Sequence, residues 1–128
     1  MILDGLLYSP EHEWMKVEGK TARVGITHYA QEALGSVVFI ELPEVGAKVE
    51  AGEALGVVES VKAASDYYCP VSGTVTAVNS QLFDAPELLN EDPYGRGWIA
   101  EVEMSEPEQM EKLLDAAGYQ ELLAGEDK

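Results

Sequence analysis

Lys62 is the one basic residue between Val49 and Gly95, a stretch that holds eight acidic residues. It stands in Glu59-Ser60-Val61-Lys62-Ala63-Ala64-Ser65-Asp66, midway between two apolar runs of β character. Lysine carries a compact ammonium on a flexible four-carbon stem, a group that other enzymes can acylate. At a hairpin tip, two strands would fix its Cα while the stem kept its reach. Acylation would turn the ammonium into a neutral amide. Stem and attached group would then form a long tether, raising the effective concentration of its reactive end at nearby enzymes. On pattern alone, a plain exposed hairpin lysine stays open beside this reading.

The other reactive side chains offer less. Nucleophilic catalysis needs a base placed against the nucleophile, and Cys69, followed by Pro70 at an apolar strand end, reads as a packed, inert thiol. No Gly-x-Ser-x-Gly elbow, phosphate-cradling glycine loop or zinc-type cysteine spacing is present. His12 lies between Glu11 and Glu13. On a strand those three would alternate between faces, so they are expected not to converge on one ion and to form a solvated loop. His28 reads as ordinary surface or interface. Nothing here makes a self-sufficient active site, so a non-catalytic protein is expected.

The 128 residues fit one domain, expected to run over 1–128 with enough chain for a real core. With 46% hydrophobic and 25% charged residues the composition is globular. The formal net charge of −16 argues against nucleic acid or an anionic membrane surface as partner. It favours docking onto enzymes with basic surfaces. No apolar run approaches the ~20 residues of a membrane-spanning helix. The first residues, Met1 to Leu7, lack the basic start of a signal peptide. A single cysteine excludes an internal disulfide and suits a reducing compartment. A monomer is expected.

The elements that must position Lys62 are short. Residues 1–7 read as an N-terminal arm and 14–103 as a β core. Trp14 to Glu18 and Thr21 to Ile26 form strands about a tight turn at Glu18-Gly19-Lys20. Thr27 is the expected N-cap of a helix from His28 to Leu34, stopped by Gly35, with Tyr29, Ala30, Ala33 and Leu34 as its buried stripe. Val37 to Ile40 is a continuous apolar run that fits a strand covered on both faces. Ala54 to Glu59, Ala63 to Tyr68 and Gly73 to Val78 follow as strands between glycines, suggesting a small barrel or sandwich. Val45 to Val49 and Val71 to Val75 echo one another on either side of Lys62, as two half-motifs that would pair around it. Ala85 to Leu89 reads as a helical turn led by Pro86, then loop to Gly95, and Trp98 to Glu103 as the last strand. C-terminal helices are expected over 105–124: one capped by Ser105, with Met110, Leu113, Leu114 and Ala117 as its stripe and broken at Gly118. A second is expected from Tyr119 to Ala124, and a tail over 125–128.

The segment Glu59 to Asp66, followed by Pro70-Val71-Ser72-Gly73, resembles the lipoyl-attachment hairpin of the glycine cleavage system H proteins. The resemblance extends through Tyr8-Ser9-Pro10-Glu11-His12-Glu13-Trp14, Val24-Gly25-Ile26-Thr27, Leu34-Gly35, Phe39 to Gly46, and Leu89-Asn90-Glu91-Asp92-Pro93-Tyr94-Gly95, covering roughly residues 6 to 123. It implies a mainly β fold, a flattened β barrel-sandwich hybrid of the lipoyl-domain type with short flanking helices. It further implies lipoate bound covalently as an amide on Lys62, with Glu59, Ser60, Val61 and Ala63 forming the hairpin that a lipoylating enzyme recognises. The implied role is a shuttle among three partners. A pyridoxal-phosphate glycine decarboxylase (P protein) loads an aminomethyl group onto the arm. A folate-dependent aminomethyltransferase (T protein) removes it, and the flavin enzyme dihydrolipoamide dehydrogenase (L protein) reoxidises the dithiol. Such proteins act in the cytoplasm of bacteria or in the mitochondrial matrix.

Family members also shelter the loaded arm in a surface cleft. The positions that match it here are Glu13 and Asp66, with Glu11 and Ser65 nearby; some members carry serine where this chain has Glu11. The need is physical, because the cargo is cationic and labile in water, and carboxylates in a partly dry cleft would hold it by charge-assisted hydrogen bonds. Three alternatives stand beside this reading: a lipoate-relay protein, a lipoyl or biotinyl domain of another multienzyme complex, and an unmodified docking domain. Biotin carriers typically flank the lysine with methionines, whereas Val61 and Ala63 stand here.

Overall fold

A computed structural model describes residues 2–126. Most of the chain forms two antiparallel sheets. The first contains β1 (Leu7–Tyr8), β2 (Glu13–Glu18), β3 (Thr21–Ile26), β5 (Lys48–Val49), β8 (Gly73–Val78) and β9 (Ala100–Met104), in the order β1-β2-β3-β9-β8-β5. The second holds β4 (Val37–Ile40), β6 (Ala54–Ser60) and β7 (Ala64–Tyr68), in that order. Met15, Val24, Ile40, Val58, Val75, Leu89, Ile99 and Val102 form the heart of the core, each essentially without exposure. Period-two alternation along β8 and β9 sends Val75 and Val102 inward and pairs them across the ladder.

A second apolar cluster lies apart from the first. Leu6, Tyr8, Trp14 and Tyr119 are all buried in it. Trp14 donates its indole N–H to the Pro93 carbonyl at 2.9 Å, and its ring lies against Gly25. A Cβ at position 25 would stand 2.6 Å from that ring, so only glycine lets the tryptophan seat.

Local signals placed several elements as expected. Thr27 caps α1 (His28–Leu34) by accepting the Ala30 N–H at 3.2 Å, and Gly35, at φ 81°, ends it. The two half-motifs do pair: Lys48 sits opposite Thr74 and Val49 opposite Gly73. That ladder and the β6–β7 ladder are both centred in sequence on Val61 and Lys62.

Other expectations are corrected. Val37 to Ile40 is not covered on both faces. β4 is an edge strand, and Val38 and Phe39 are 54% and 48% exposed. The stripe of α1 is only partly buried, with Ala33 exposed; the helix's one buried side chain is Gln31. The arm over residues 1–7 yields β1, which pairs with β2. A short helix, α2 (Gln81–Asp84), precedes the helical turn expected over 85–89. That turn is present, with the Leu88 and Leu89 N–H groups bonded to the Ala85 and Pro86 carbonyls, but it continues into α3 (Leu88–Glu91). Residues 105–124 do not form two helices at the expected places. A 3₁₀ helix spans Pro107–Lys112 with no side-chain cap from Ser105, and α4 spans Ala116–Glu126. Gly118 does not interrupt α4, because its N–H is taken by Asp115 Oδ1 at 2.8 Å in the first turn. The expected tail loses Gly125 and Glu126 to α4, and 127–128 lie outside the described residues.

Candidate functional site

Lys62 occupies the turn between β6 and β7, exposed to solvent. One hydroxyl ties the turn together. Ser60 Oγ accepts the N–H groups of Lys62 (3.3 Å) and Ala63 (3.1 Å) and donates to the Ala63 carbonyl (3.2 Å), while the Ser60 N–H closes on the same carbonyl at 2.7 Å. The Val61 N–H fastens the tip to the Ser36 carbonyl at 3.0 Å. The backbone at the tip is thus held while the side chains of Glu59, Val61 and Ala63 stand in solvent, Val61 at 73% exposure.

The lysine stem leaves the tip along the C-terminal end of α1. A Cβ placed on Gly35 would lie 3.4 Å from Lys62 Cε and 3.9 Å from Nζ. Gly35 supplies the left-handed backbone that ends the helix, and the stem passes it at ordinary contact distance. Asn90 of α3 braces this junction from beneath. Its amide donates to the Gly35 carbonyl (2.8 Å) and Gln31 Oε1 (3.0 Å), and its oxygen accepts the Val37 N–H (2.9 Å).

From that end of α1 a cleft of about 190 Å³ runs beneath the helix. Tyr29, Ala30, Ala33 and Leu34, the incompletely buried stripe, form one apolar wall, and Ile26 and Val58 contribute to the lining. Glu11, His12, Glu13, Ser65, Asp66 and Tyr67 supply its polar edge. All four acids and serines singled out for the cleft therefore meet there: Glu11, Glu13, Ser65 and Asp66. A larger groove of about 760 Å³ beside β5, lined by Lys48, Glu50, Glu53, Ser72 and Gln109 among others, contains none of the singled-out residues.

Within the cleft the two principal acids differ. Glu13 is 2% exposed. Its Oε1 accepts the Ser9 hydroxyl at 2.5 Å, and its Oε2 accepts the Tyr68 N–H at 3.3 Å, which ties β2 to the outer edge of β7. Burial pushes its carboxyl up to about 7, against the lowering effect of those two donors. Each oxygen has one side-chain or backbone donor and keeps a further lone pair. A cation entering the cleft would meet an acceptor that burial has starved of positive charge. Asp66, on β7 of the other sheet, is exposed.

His12 corrects the strand argument made for Glu11, His12 and Glu13. Its φ is 74°, the only positive value at a non-glycine residue among those described, so the segment turns instead of alternating. That turn, closed by the Ser9 N–H to the Glu13 carbonyl (2.9 Å) and the His12 N–H to the Ser9 carbonyl (3.1 Å), brings all three residues to one cleft. The loop is not a merely solvated one. The His12 ring lies 4.6 Å from Tyr29 and its Nδ1 is 2.8 Å from the Tyr119 hydroxyl. Among the described residues no His, Cys, Asp and Glu group has metal-holding geometry.

Cys69 is fully buried, donates to the Val71 carbonyl at 3.0 Å, and burial pushes its thiol up to about 11. It is a packed thiol, as expected. The residues missed in sequence are Ser9, Asn90 and Tyr119. Ser9 and Asn90 lay inside recognised segments without a role. No local signal links Tyr119 to His12, 107 positions away.

Comparison with known proteins bears on this geometry. A family model described as the glycine cleavage H-protein matches residues 6–126. The glycine cleavage system H protein of Symbiobacterium thermophilum is 58% identical over 114 residues, 89% of each chain. That of a Thermoanaerobacter species is 56% identical over 122 residues, 95% of this chain and 96% of its own. Among solved structures, the crystal structure of a glycine cleavage system H protein from Mycobacterium marinum superposes with a TM-score of 0.84 at 41% identity, over 98% of both chains. The barrel-sandwich architecture expected for the fold is shared with that neighbour.

Proposed function

The chain belongs to the glycine cleavage H-protein family, and from that premise we propose that it carries lipoate as an amide on Lys62 and shelters its cargo in the cleft beneath α1. It is a non-catalytic carrier of the glycine cleavage system. Its partners belong to that system; those we propose are the decarboxylase that loads the arm, the aminomethyltransferase that unloads it, dihydrolipoamide dehydrogenase, and a lipoylating enzyme. No helix among the described residues is long and apolar enough to cross a membrane.

The observation that carries this reading is the junction of tip and cleft. An exposed amine stands on a braced turn with its stem beside Gly35, at the end of the helix whose Tyr29, Ala30, Ala33 and Leu34 form the apolar wall of a cleft edged by acids. That lining fits the group. A hydrocarbon arm suits Tyr29, Ala30, Ala33 and Leu34, and a cationic cargo suits Glu13 and Asp66. Lipoate supplies a reversible disulfide, which takes up the one-carbon unit and the electrons. The chain's own residues present the amine, exclude water and hold positive charge.

Incubation with lipoate, ATP and a lipoylating enzyme tests the assignment. Intact mass should rise by one lipoyl group, and peptide mapping should place it on Lys62. An unmodified chain, beside a control carrier that is modified, overturns it.

A further inference from the structure

Edge strand β4 carries a bulge beside the tip. Val37 pairs with Ser60 and Phe39 with Glu59, so Val38 is an extra residue between the two pairs. Regular alternation would send Phe39 inward with Val37. The bulge instead leaves Val37 and Ile40 buried and puts Val38 and Phe39, consecutive in the chain, in contact with water. Helix α2 lies against β4; its Leu82 is buried and its Phe83 is 61% exposed. The Val61 N–H, bonded to the Ser36 carbonyl just ahead of β4, joins the tip to the same strand. Val38, Phe39, Val61 and Phe83 are thus four of the six large apolar side chains left exposed among the described residues. Such a gathering marks an interaction surface, where singly scattered apolar residues would not.

The surroundings are acidic. Glu59 stands opposite Phe39, Glu41 follows β4 and Asp84 follows Phe83, all three exposed. From Val24 to Gly95 the sequence has two basic residues, Lys48 on β5 of the other sheet and Lys62 itself. The complementary face is therefore apolar at its centre and rimmed by lysine and arginine. A second copy of this chain, with a net charge of −16, would set acid against acid.

We propose that the lipoylating enzyme docks on this patch, with an apolar socket for Phe39 and Phe83 set among basic side chains. The inference rests on the reading that Lys62 is lipoylated. That reaction takes place at the tip itself. Nζ, having shed a proton, attacks the activated carbonyl of the lipoyl donor. The carbon–nitrogen bond forms, the donor's leaving group departs with its electron pair, and the nitrogen gives up a second proton. Enzymes that load, unload or reoxidise the arm work at its far end, an acyl chain away, and can stand clear of the tip. The lipoylating enzyme must cover it. An interface of about 800 Å² per partner is a disc of roughly 16 Å radius. Phe39 lies across the ladder from Glu59, three residues before Lys62: roughly 10 Å along the strand and about 5 Å across it. A footprint centred on the lysine therefore reaches the bulge.

Lipoylation kinetics of the full-length protein, with lipoate, ATP and the lipoylating enzyme, test the assignment. Phe39→Ser and Phe83→Ser should each raise KM about tenfold, the scale of one anchoring side chain, with kcat within about twofold. Phe39→Leu should recover most of the loss. Val45→Ser, which removes an exposed apolar side chain from the turn ahead of β5, should match the wild type. Thermal transitions show which variants fold; if Phe39→Ser does not, Phe83→Ser, on a separate element, decides. A wild-type KM in both serine variants, or a loss confined to kcat, overturns the inference and leaves lipoylation of Lys62 standing. An equal rise in Val45→Ser shows a general loss of apolar surface and overturns it too. Unchanged lipoylation with a raised KM at the decarboxylase gives the patch to an arm-using enzyme, against the proposal. So does a wild type that sediments as a dimer and becomes a monomer in Phe39→Ser, which gives it to a second copy. A wild type left unmodified beside a modified control carrier overturns the carrier reading, and this inference with it.

Discussion

Lys62 stands in solvent on a turn that one serine hydroxyl ties together, whereas Glu13 is 2% exposed and meets a donor at each of its oxygens. The tip is built from neighbours in sequence: Ser60, Val61, Lys62 and Ala63 make nearly all of its hydrogen bonds. The cleft is assembled from β2, β7, α1 and, behind His12, α4. Presenting an amine to large enzymes calls for exposure and a fixed backbone. Retaining a labile cation calls for desolvated acids, which no short segment provides by itself. On the proposed reading, one chain separates attachment from retention, with Gly35 and the end of α1 between the two.

The largest effect should come at the tip. Lys62→Arg preserves charge and approximate length but cannot form the amide, so lipoylation and shuttle activity should be abolished with an unchanged thermal transition. Activity surviving in a mass-verified Lys62→Arg protein breaks the assignment of attachment to that residue.

Next comes the acidity of the cleft floor. The folded-state carboxyl of Glu13 lies near 7, above its ordinary 4.5, so the native chain holds more protons than the unfolded one between those values. The stabilising contribution is full below about pH 4.5 and is lost as pH rises through 7. Going from pH 5 to pH 8, the unlipoylated wild type should lose on the order of 2 kcal/mol relative to Glu13→Gln. Urea midpoints across that range measure it, and parallel curves for the two proteins would remove the burial argument.

A smaller contrast separates the two acids. Glu13→Gln should shorten the lifetime of the loaded form by about tenfold, the scale of one charge-assisted hydrogen bond. Asp66→Asn should cost about two- to threefold, because water screens an exposed carboxylate. Both should leave lipoylation intact. Equal losses, measured by ammonia release from the loaded protein, would show that depth in the cleft does not grade the grip.

The smallest change is expected from Ser60→Ala, which removes the hydroxyl from the turn at a cost of about 1 kcal/mol. Lipoylation should slow severalfold while cargo lifetime stays at the wild-type value. A change in lifetime without one in lipoylation would reverse the roles of tip and cleft.

Much of the local architecture was legible in the chain. Thr27 as cap, Gly35 as stop and the hairpin around Lys62 follow from side chains that bond to groups three or four residues away, and from alternation along strands. Reading failed where the deciding partner is remote. Val37 to Ile40 looked covered on both faces, yet an apolar run does not reveal that Val38 and Phe39 would be left half exposed. Ser105 has the chemistry of a cap, but the chain turns there into a 3₁₀ helix, and Asp115 starts α4 instead. The Glu11-His12-Glu13 segment was expected to alternate, and the positive φ of His12 folds it into a turn.

The sequence by itself determined that one lysine would be offered at a hairpin tip, and its ordered motifs identified the family. The proposed attachment is a local matter, since the turn that presents Lys62 is closed by its immediate neighbours. Only the tertiary structure decided which acid is buried, and that His12 and Tyr119 stand behind it. Desolvation depends on whatever packs around a group, and for Glu13 and His12 those neighbours come from 55 and 107 residues away. No periodicity in a chain encodes such a meeting; it exists only once both sheets and α4 have come together.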